Sequence, residues 1–324
     1  MKKVGLVLVG LVVLLVAAVL VAPRLIDWNG YKPEIAQAVK EATGRTLVIG
    51  GDIEVSIFPG ISFGLSDVSL SNAEGAAEAR MFTLESVRGK LALLPLIARE
   101  VIVEELVIRA PVLHLAVDEN GRPNWVFAGA TPAPADAETQ TPGDEGLPIS
   151  GLTLGDVRVE EGLVTFRDAR TGQEVVAKAI TLKAALTELS APFTLDGSLT
   201  LNGEPVTLKV SLDSPGGLLG GGRAALETTL EAPRLKLSYG GGLRQKPVPA
   251  LDGTFDLSIP SVGKLAAWLK RPLEAGRPDP GPLKVHAVFE GQGARITLKE
   301  ATIEGAGLRA KATGGFDGTG GIRR

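Results

Sequence analysis

The sequence FTLDGSLTLNGEPVTLKVSL, residues 193–212, alternates apolar and polar side chains through most of its length. Phe193 and Leu195 lie in one phase, whereas Thr194 and Asp196 lie in the other. A period of two is typical of a β-strand that turns one face to an apolar environment and the other to water. The same alternation recurs in segments 53–57, 180–187, 255–259 and 283–289. The sequence therefore predicts a mainly β protein.

Few segments are available to cover the apolar face of such a sheet. Apolar residues at helical spacing occur only at 30–43 and 261–269. We therefore expect an elongated, curled antiparallel β-sheet, a repeating β-groove, with two or three short helices. The sheet must then close on a second sheet, as a sandwich or barrel, or curl into a trough whose apolar inside meets a ligand.

Upstream of the sheet, residues Val4–Ala22 are all apolar or glycine. A helix of this length crosses a hydrocarbon core of about 30 Å. Lys2 and Lys3 precede it, so the positive-inside rule keeps residues 1–3 in the cytoplasm and sends the rest of the chain across the membrane. The alternative is a cleaved signal peptide, but its apolar core is usually shorter and ends at a small-residue site. We therefore expect a single-pass transmembrane helix at residues 4–22.

The rest of the chain divides into three predicted regions. These are residues 23–128, with a short helix at 30–43 followed by β-strands, a Pro- and Ala-rich linker or loop at 129–148, and a β-meander at 149–324 that continues the groove. Trp28 and Tyr31 lie just beyond the apolar run, so we expect both at the membrane interface, where amphipathic rings are favoured. Ordinary packing of these rings on the sheet is the alternative.

The composition excludes several classes of function. The chain has no cysteine, which excludes disulfides, a thiol nucleophile and cysteine-ligated zinc. Its net charge of −3 offers no basic surface, so we expect no nucleic-acid partner.

The motifs give no support for catalysis. Gly60–Gly64 matches G-x-S-x-G around Ser62, but a nucleophile elbow needs a strand-to-helix turn, and here the motif leads into an alternating strand. His114 and His286 each lie in the polar phase of a strand, without a second ligand at metal spacing. We therefore expect no enzyme activity, no catalytic residue, no metal site and no cofactor.

Several short motifs follow the apolar run in order. They are Asp27-Trp28-Asn29-Gly30-Tyr31, Ala42-Thr43-Gly44-Arg45, Gly51-Asp52-Ile53, Leu93-Leu94-Pro95-Leu96 and Asn120-Gly121-Arg122-Pro123-Asn124-Trp125. Over residues 1–127 this pattern resembles the AsmA family of bacterial envelope proteins, and the resemblance is looser over residues 149–324. It implies an inner-membrane anchor and a periplasmic β-rich groove similar to that of chorein-type bridge-like lipid transfer proteins. It also implies a role in outer-membrane biogenesis.

The resemblance leads us to expect a protein that binds phospholipid and moves it along an apolar β-groove. Its expected partners are membrane lipid, the inner membrane, and outer-membrane or periplasmic proteins. One alternative is a periplasmic assembly factor for outer-membrane proteins that pairs its sheet edges with client strands. Another is a structural envelope protein built from closed sandwiches.

The residues expected to line the groove come from the apolar phase of the predicted strands. They are Ile53, Val55, Ile57, Leu106, Ile108, Ile180, Leu182, Leu186, Leu195, Leu199, Leu208 and Val210. An aliphatic lining is sufficient to hold an acyl chain, because burial of apolar surface contributes about 25 cal/mol per Å². The alternative is that many of them pack on the linker, the helices or a second sheet.

Overall fold

The computed structural model of the chain describes residues 26–57, 60–97, 100–127, 151–245, 248–274, 276 and 278–317. The predicted cytoplasmic tip at 1–3, the anchor at 4–22 and the linker at 129–148 lie outside these residues. Within the described ranges, no helix combines the length and the apolar character needed to cross a membrane.

The longest described helix lies close to the N-terminus. A 3-10 turn at Trp28–Tyr31 leads into α1, Lys32–Thr43. Pro33 suits the first turn because the N–H that proline lacks would have no partner there. Gly44 ends the helix with a φ of 72°, in the left-handed region that glycine adopts easily.

The other helices are short. They are α2 at Leu93–Ile97, α3 at Pro215–Leu219 and α4 at Val262–Trp268. The hydroxyl of Ser214 accepts from the N–H of Gly217 at 3.2 Å, and that of Ser261 accepts from the N–H of Lys264 at 3.1 Å, which caps α3 and α4. Few helices were expected, and the described residues hold four α-helices rather than two or three.

All strands of the described residues belong to one sheet, which confirms the prediction of a mainly β protein with a long, curled sheet. The strands are β1 Leu47–Ile49, β2 Glu54–Ser56, β3 Ile61–Ser71, β4 Arg80–Leu91, β5 Glu100–Arg109, β6 Val112–Val117, β7 Gly151–Asp168, β8 Gln173–Leu186, β9 Phe193–Leu201, β10 Glu204–Leu212, β11 Arg223–Ala232, β12 Leu235–Arg244, β13 Ala250–Ile259, β14 Leu283–Gln292, β15 Arg295–Gly305 and β16 Leu308–Asp317. The order is β1-β3-β4-β5-β7, and each later strand then pairs with the one before it as far as β16. In addition, β2 pairs with β3, and β6 pairs with β4 and β7.

The prediction that the sheet is antiparallel throughout is wrong at one place. Both β5 and β6 run parallel to β7, so the sheet is mixed. The chain leaves β6 at Val117 and enters β7 at Gly151, and a connection of that length can return to the end at which β5 began. Alternation in the sequence is the same for parallel and antiparallel neighbours, so the pattern alone does not distinguish them.

A crease crosses the first part of the sheet. Four neighbouring parts of the sheet each contain a residue other than glycine with positive φ, and these residues lie side by side across the strands. They are Asp67 in β3 (50°), Ala110 between β5 and β6 (46°), Glu161 in β7 (57°) and Ala179 in β8 (53°). A left-handed residue within a strand is typical of a β-bulge, which shifts the alternation by one residue. In a regular strand, Val159 and Val164 of β7 would point to opposite faces because they are five residues apart. The register shifts between them correct for this, and Val159 pairs with Leu182 while Val164 pairs with Ala177. The crease therefore keeps one face of the sheet apolar on both of its sides.

Buried apolar side chains are few among the described residues. They are Met81, Val117, Leu186, Val206, Ala224, Ile259, Trp268 and Ala301. Apart from Ala301 in β15 and Trp268 in α4, each lies within three residues of the end of its strand. Burial is therefore concentrated at the margins of the sheet, and the described residues contain no second sheet with which to form a sandwich.

Candidate functional site

One face of the sheet carries an uninterrupted apolar row. Directly paired residues on neighbouring strands point to the same face, so the strand registers show which side chains lie side by side. The first row consists of Leu65, Val87, Ile108, Val159, Leu182, Gly197, Leu208, Leu230, Leu237, Leu257, Val285, Ile303 and Ala310. It crosses thirteen strands without a polar side chain. At about 4.8 Å between strands, the row is about 58 Å long when measured along the sheet.

Two parallel rows widen this surface. The second row consists of Phe63, Gly89, Leu106, Val157, Ala184, Leu195, Val210, Thr228, Tyr239, Phe255, Ala287, Ala301 and Ala312, and the third of Ile61, Leu91, Val103, Leu154, Leu186, Phe193, Leu212, Leu226, Gly241, Gly253, Phe289, Leu298 and Gly314. We call the three rows together the apolar band. Alternate residues on a strand are about 6.7 Å apart, so the band is about 13 Å wide.

The apolar band carries no charge. Its polar side chains are those of Thr228 and Tyr239. Burial raises the pKa of the Tyr239 phenol above its ordinary value, which keeps the group neutral, and its hydroxyl donates to the main-chain oxygen of Asp252 at 3.1 Å. The surface offered by the band is therefore chemically uniform.

Neighbouring side chains cover most of the glycines of the band. A Cβ atom at Gly197 would lie 2.9 Å from Cδ2 of Leu182, so the Leu182 side chain occupies that space. The ring of Phe63 lies over Gly89 in the same way, and the ring of Tyr239 lies over Gly253. At these three glycines the missing side chain therefore leaves no gap, whereas a Cβ atom at Gly314, at the far end of the third row, would meet nothing within 4 Å.

The first row is not covered by any described layer. Its residues are half-buried from Leu65 to Val285, and Ile303 and Ala310 at the far end are exposed. A continuous apolar surface of this size is unusual on a protein that acts alone, and such surfaces commonly meet a ligand or a partner. We therefore take the apolar band as the candidate site.

Helix α4 braces one margin of the band. It follows β13, yet its end is bound to the turn between β9 and β10. The indole N–H of Trp268 donates to the main-chain oxygen of Leu201 at 2.7 Å, and the amide of Asn202 donates to the main-chain oxygen of Trp268 at 2.7 Å. Arg271 also donates to Oε1 of Gln173, at the start of β8, at 3.1 Å. These bonds connect strands that are four or five places apart in the sheet.

The opposite face of the sheet is polar and charged. At the register that alternates with the first row, Asp196 lies between Lys183 and Lys209. Arg223 and Asp252 form an ion pair at 2.7 Å, and hydrogen bonding from Arg223 lowers the pKa of the Asp252 carboxyl. One face therefore suits water and the other suits an apolar ligand.

The structure brings most of the predicted lining residues together. Seven lie in the apolar band: Leu106, Ile108, Leu182, Leu186, Leu195, Leu208 and Val210. Val55 extends the second row by pairing with Phe63. Leu199 pairs with Val206 beside the first row, and Ile180 lies opposite Gly162 at the crease. Ile53 and Ile57 flank β2 outside the rows.

Sequence reasoning missed most of the first row, because only Ile108, Leu182 and Leu208 of its thirteen residues were among the predicted lining residues. The omitted lining residues include Leu65, Val87, Val159, Leu230, Leu237, Leu257 and Val285. Several of them lie in strands whose alternation of apolar and polar residues is visible in the sequence. That alternation could have identified them as lining residues. Their alignment with Leu182 and Leu208 depends on strand register.

The motif residues that precede the band fasten α1 to the sheet. Oδ1 of Asn29, before the helix, accepts from the N–H of Ile53 at 3.0 Å. Beyond the helix, Nη2 of Arg45 donates to the main-chain oxygen of Asn124 at 3.0 Å. Asn124 is itself buried, with 4% of its surface exposed, and donates to Oδ1 of Asn72 and to the main-chain oxygen of His114.

The remaining residues singled out from the sequence lie apart from the band or at its start. Trp28 is half-buried and Tyr31 is exposed, with ring centroids 6.1 Å apart, and their expected place at a membrane interface stays a prediction. Ser62 lies within strand β3. His114 is hydrogen-bonded to Thr165 and His286 to Asp256, each at 2.7 Å.

Comparison with known proteins gives one match. A model of the AsmA family matches residues 1–215 of the 324-residue chain. The matched part includes the fastening of α1 and the strands from β1 to β10. No curated protein and no solved structure matches the chain.

Proposed function

Because the chain belongs to the AsmA family, we propose that it binds phospholipid and moves it along the apolar band during outer-membrane biogenesis. Membership of this family and the extended β-sheet fit a bridge-like lipid-transport or envelope-biogenesis role. In this proposal, residues 4–22 anchor the chain in the inner membrane and the sheet lies in the periplasm.

The observation that carries the proposal is the first row of the band. An acyl chain lying across the strands exchanges one aliphatic contact for another as it advances from strand to strand. Each buried CH₂ contributes about 0.8 kcal/mol wherever it lies on such a surface, so movement changes the free energy of binding little. A charged side chain in the row would instead create a barrier, because a charge buried against hydrocarbon is strongly unfavourable.

The polar face and the margins are consistent with the same activity. Head groups can remain in water beyond the margins of a band about 13 Å wide, while the acyl chains lie on it. An assembly factor that pairs strands would need an accessible sheet edge, and it would place no requirement on the side chains in the middle of the sheet. The first row therefore favours lipid as the ligand.

Photocross-linking of the full chain in cells tests this function. A benzophenone amino acid at Leu208 would face the band, and the same residue at Thr207, the preceding position on β10, would face water. We expect phospholipid adducts by mass spectrometry at position 208 and few at position 207. Adducts at neither position, or equal adducts at both, would contradict the proposal. Client-protein adducts at β16 without lipid at position 208 would favour strand pairing.

A further inference from the structure

Helix α1 has an apolar stripe that its own sheet does not bury. Tyr31, Ile35, Ala38 and Ala42 follow one another at helical spacing, and all four are exposed, with 52% of Tyr31 and 38% of Ile35 accessible. The adjacent stripe, which includes Ala36 and Val39, is half-buried instead. The helix therefore packs through one stripe and leaves a second one open.

The fastening of α1 prevents a simple rotation that would bury the open stripe. The bond from Ile53 to Asn29 holds the segment before the helix, and the bond from Arg45 to Asn124 holds the segment after it. Gly44 fixes the exit of the chain in the left-handed conformation. Because both ends are held, the exposed stripe is a stable feature of the surface.

The sequence places this stripe close to a bilayer. The apolar run ends at Ala22, and the described chain begins at Ile26, whose side chain is itself 42% exposed. Four residues span at most about 14 Å when fully extended. If residues 4–22 cross a membrane, the start of the described chain lies within that distance of the hydrocarbon boundary.

We infer that α1 lies flat on the membrane surface, with Tyr31, Ile35, Ala38 and Ala42 directed into the boundary between head groups and acyl chains. A helix with a narrow apolar stripe and a polar opposite side is suited to that position. Gln37 and Lys40 lie on the other side of α1 and are exposed. The partner is the bilayer that the predicted anchor enters.

This attachment would orient the apolar band. Strand β1 follows α1 in the chain and pairs with β3, where the rows begin at Ile61, Phe63 and Leu65. A helix lying on the membrane and fastened at both ends therefore presents the first strands of the band to the bilayer. The inference goes beyond the proposed lipid movement, since it concerns which end of the band meets the membrane.

The absence of cysteine from the chain makes a direct test practical. The full chain would be reconstituted in liposomes of phosphatidylethanolamine and phosphatidylglycerol, with one NBD-labelled cysteine at a time. The stripe variants are Ile35→Cys and Ala42→Cys, and the matched controls on the opposite side of the same helix are Gln37→Cys and Lys40→Cys. Lipids with a doxyl quencher on the acyl chain would report the depth of each label.

We expect quenching at positions 35 and 42 to be at least threefold greater than at positions 37 and 40. Equal quenching at all four positions would overturn the inference, and so would failure of the chain to float with the liposomes. Lipid adducts at position 208 are measured separately. Adducts there together with equal quenching would reject the docking of α1 alone and leave the proposed function standing.

Discussion

Asn202, in the turn after β9, is hydrogen-bonded to Trp268, at the end of α4, although 66 residues separate them in the sequence. The amide of Asn202 donates to the main-chain oxygen of Trp268 at 2.7 Å, and Oδ1 of Asn202 accepts from the N–H of Val176 at 3.1 Å. One side chain in the turn after β9 thus joins β8 to the helix that follows β13. These two hydrogen bonds therefore link β8, the turn after β9 and α4.

We expect Asn202→Ala to lower the free energy of unfolding by about 1–3 kcal/mol, because two main-chain groups lose their partner. Alanine is also strained at the φ of 48° that Asn202 adopts. Urea unfolding of the purified chain measures the change. Asn202→Gly is the control, since glycine removes the bonds without the strain, and a glycine variant as stable as the original would show that the bonds contribute nothing.

A carboxylate in the first row should stop lipid from passing. We expect Leu182→Asp to reduce the yield of lipid adducts at position 208 at least about tenfold, because an unpaired charge against acyl chains costs more than the 1.4 kcal/mol that corresponds to that factor. Thr181→Asp places the same charge on the exposed face of β8 and should leave the yield unchanged. Circular dichroism verifies that both variants are folded. Equal yields in the two variants would contradict the role assigned to the row.

We expect the loss of the Asn124 side chain to destabilise the protein more than the loss of the Arg122 side chain, which lies in the same loop. Asn124→Ala removes the partners of the Ala116 N–H, the His114 carbonyl and the Asn72 side chain, in a buried position. We expect the free energy of unfolding to fall by about 2–4 kcal/mol, since buried groups are left unsatisfied. Arg122→Ala breaks an exposed ion pair with Asp118 and should cost less than about 1 kcal/mol. Similar losses in denaturant unfolding would show that the buried network is not important.

The stability of the polar face should depend on pH through His286. Hydrogen bonding to Asp256, supported by its charge, raises the pKa of His286 above the ordinary value of 6.5. A raised folded-state pKa contributes stability below the unfolded-state value, and this contribution is lost as the pH rises through the folded-state value. In NMR titration, we expect His286 to titrate above 6.5 and Asp256→Asn to return it towards 6.5. An unchanged midpoint in Asp256→Asn would contradict the assignment of the shift to this pair.

The sequence was sufficient to predict strands but not their arrangement. Alternation around Leu182 and Leu208 indicated the apolar phase of β8 and β10. It could not show that Gly197 lies between these two residues, because register is set by pairing across strands. The parallel pairing of β5 with β7 was missed for the same reason.

The pairing order also has a consequence for how the chain folds. From β8 to β16 each strand pairs with the one before it, so nearly every contact there is local in sequence. This part can add one strand at a time as the polypeptide becomes available for folding, with a small entropic cost of loop closure at each step. The pairing of β7 with β5 and β6 must instead wait for the chain to return from Val117 to Gly151. We therefore expect closure of that parallel junction to be the slow step of folding.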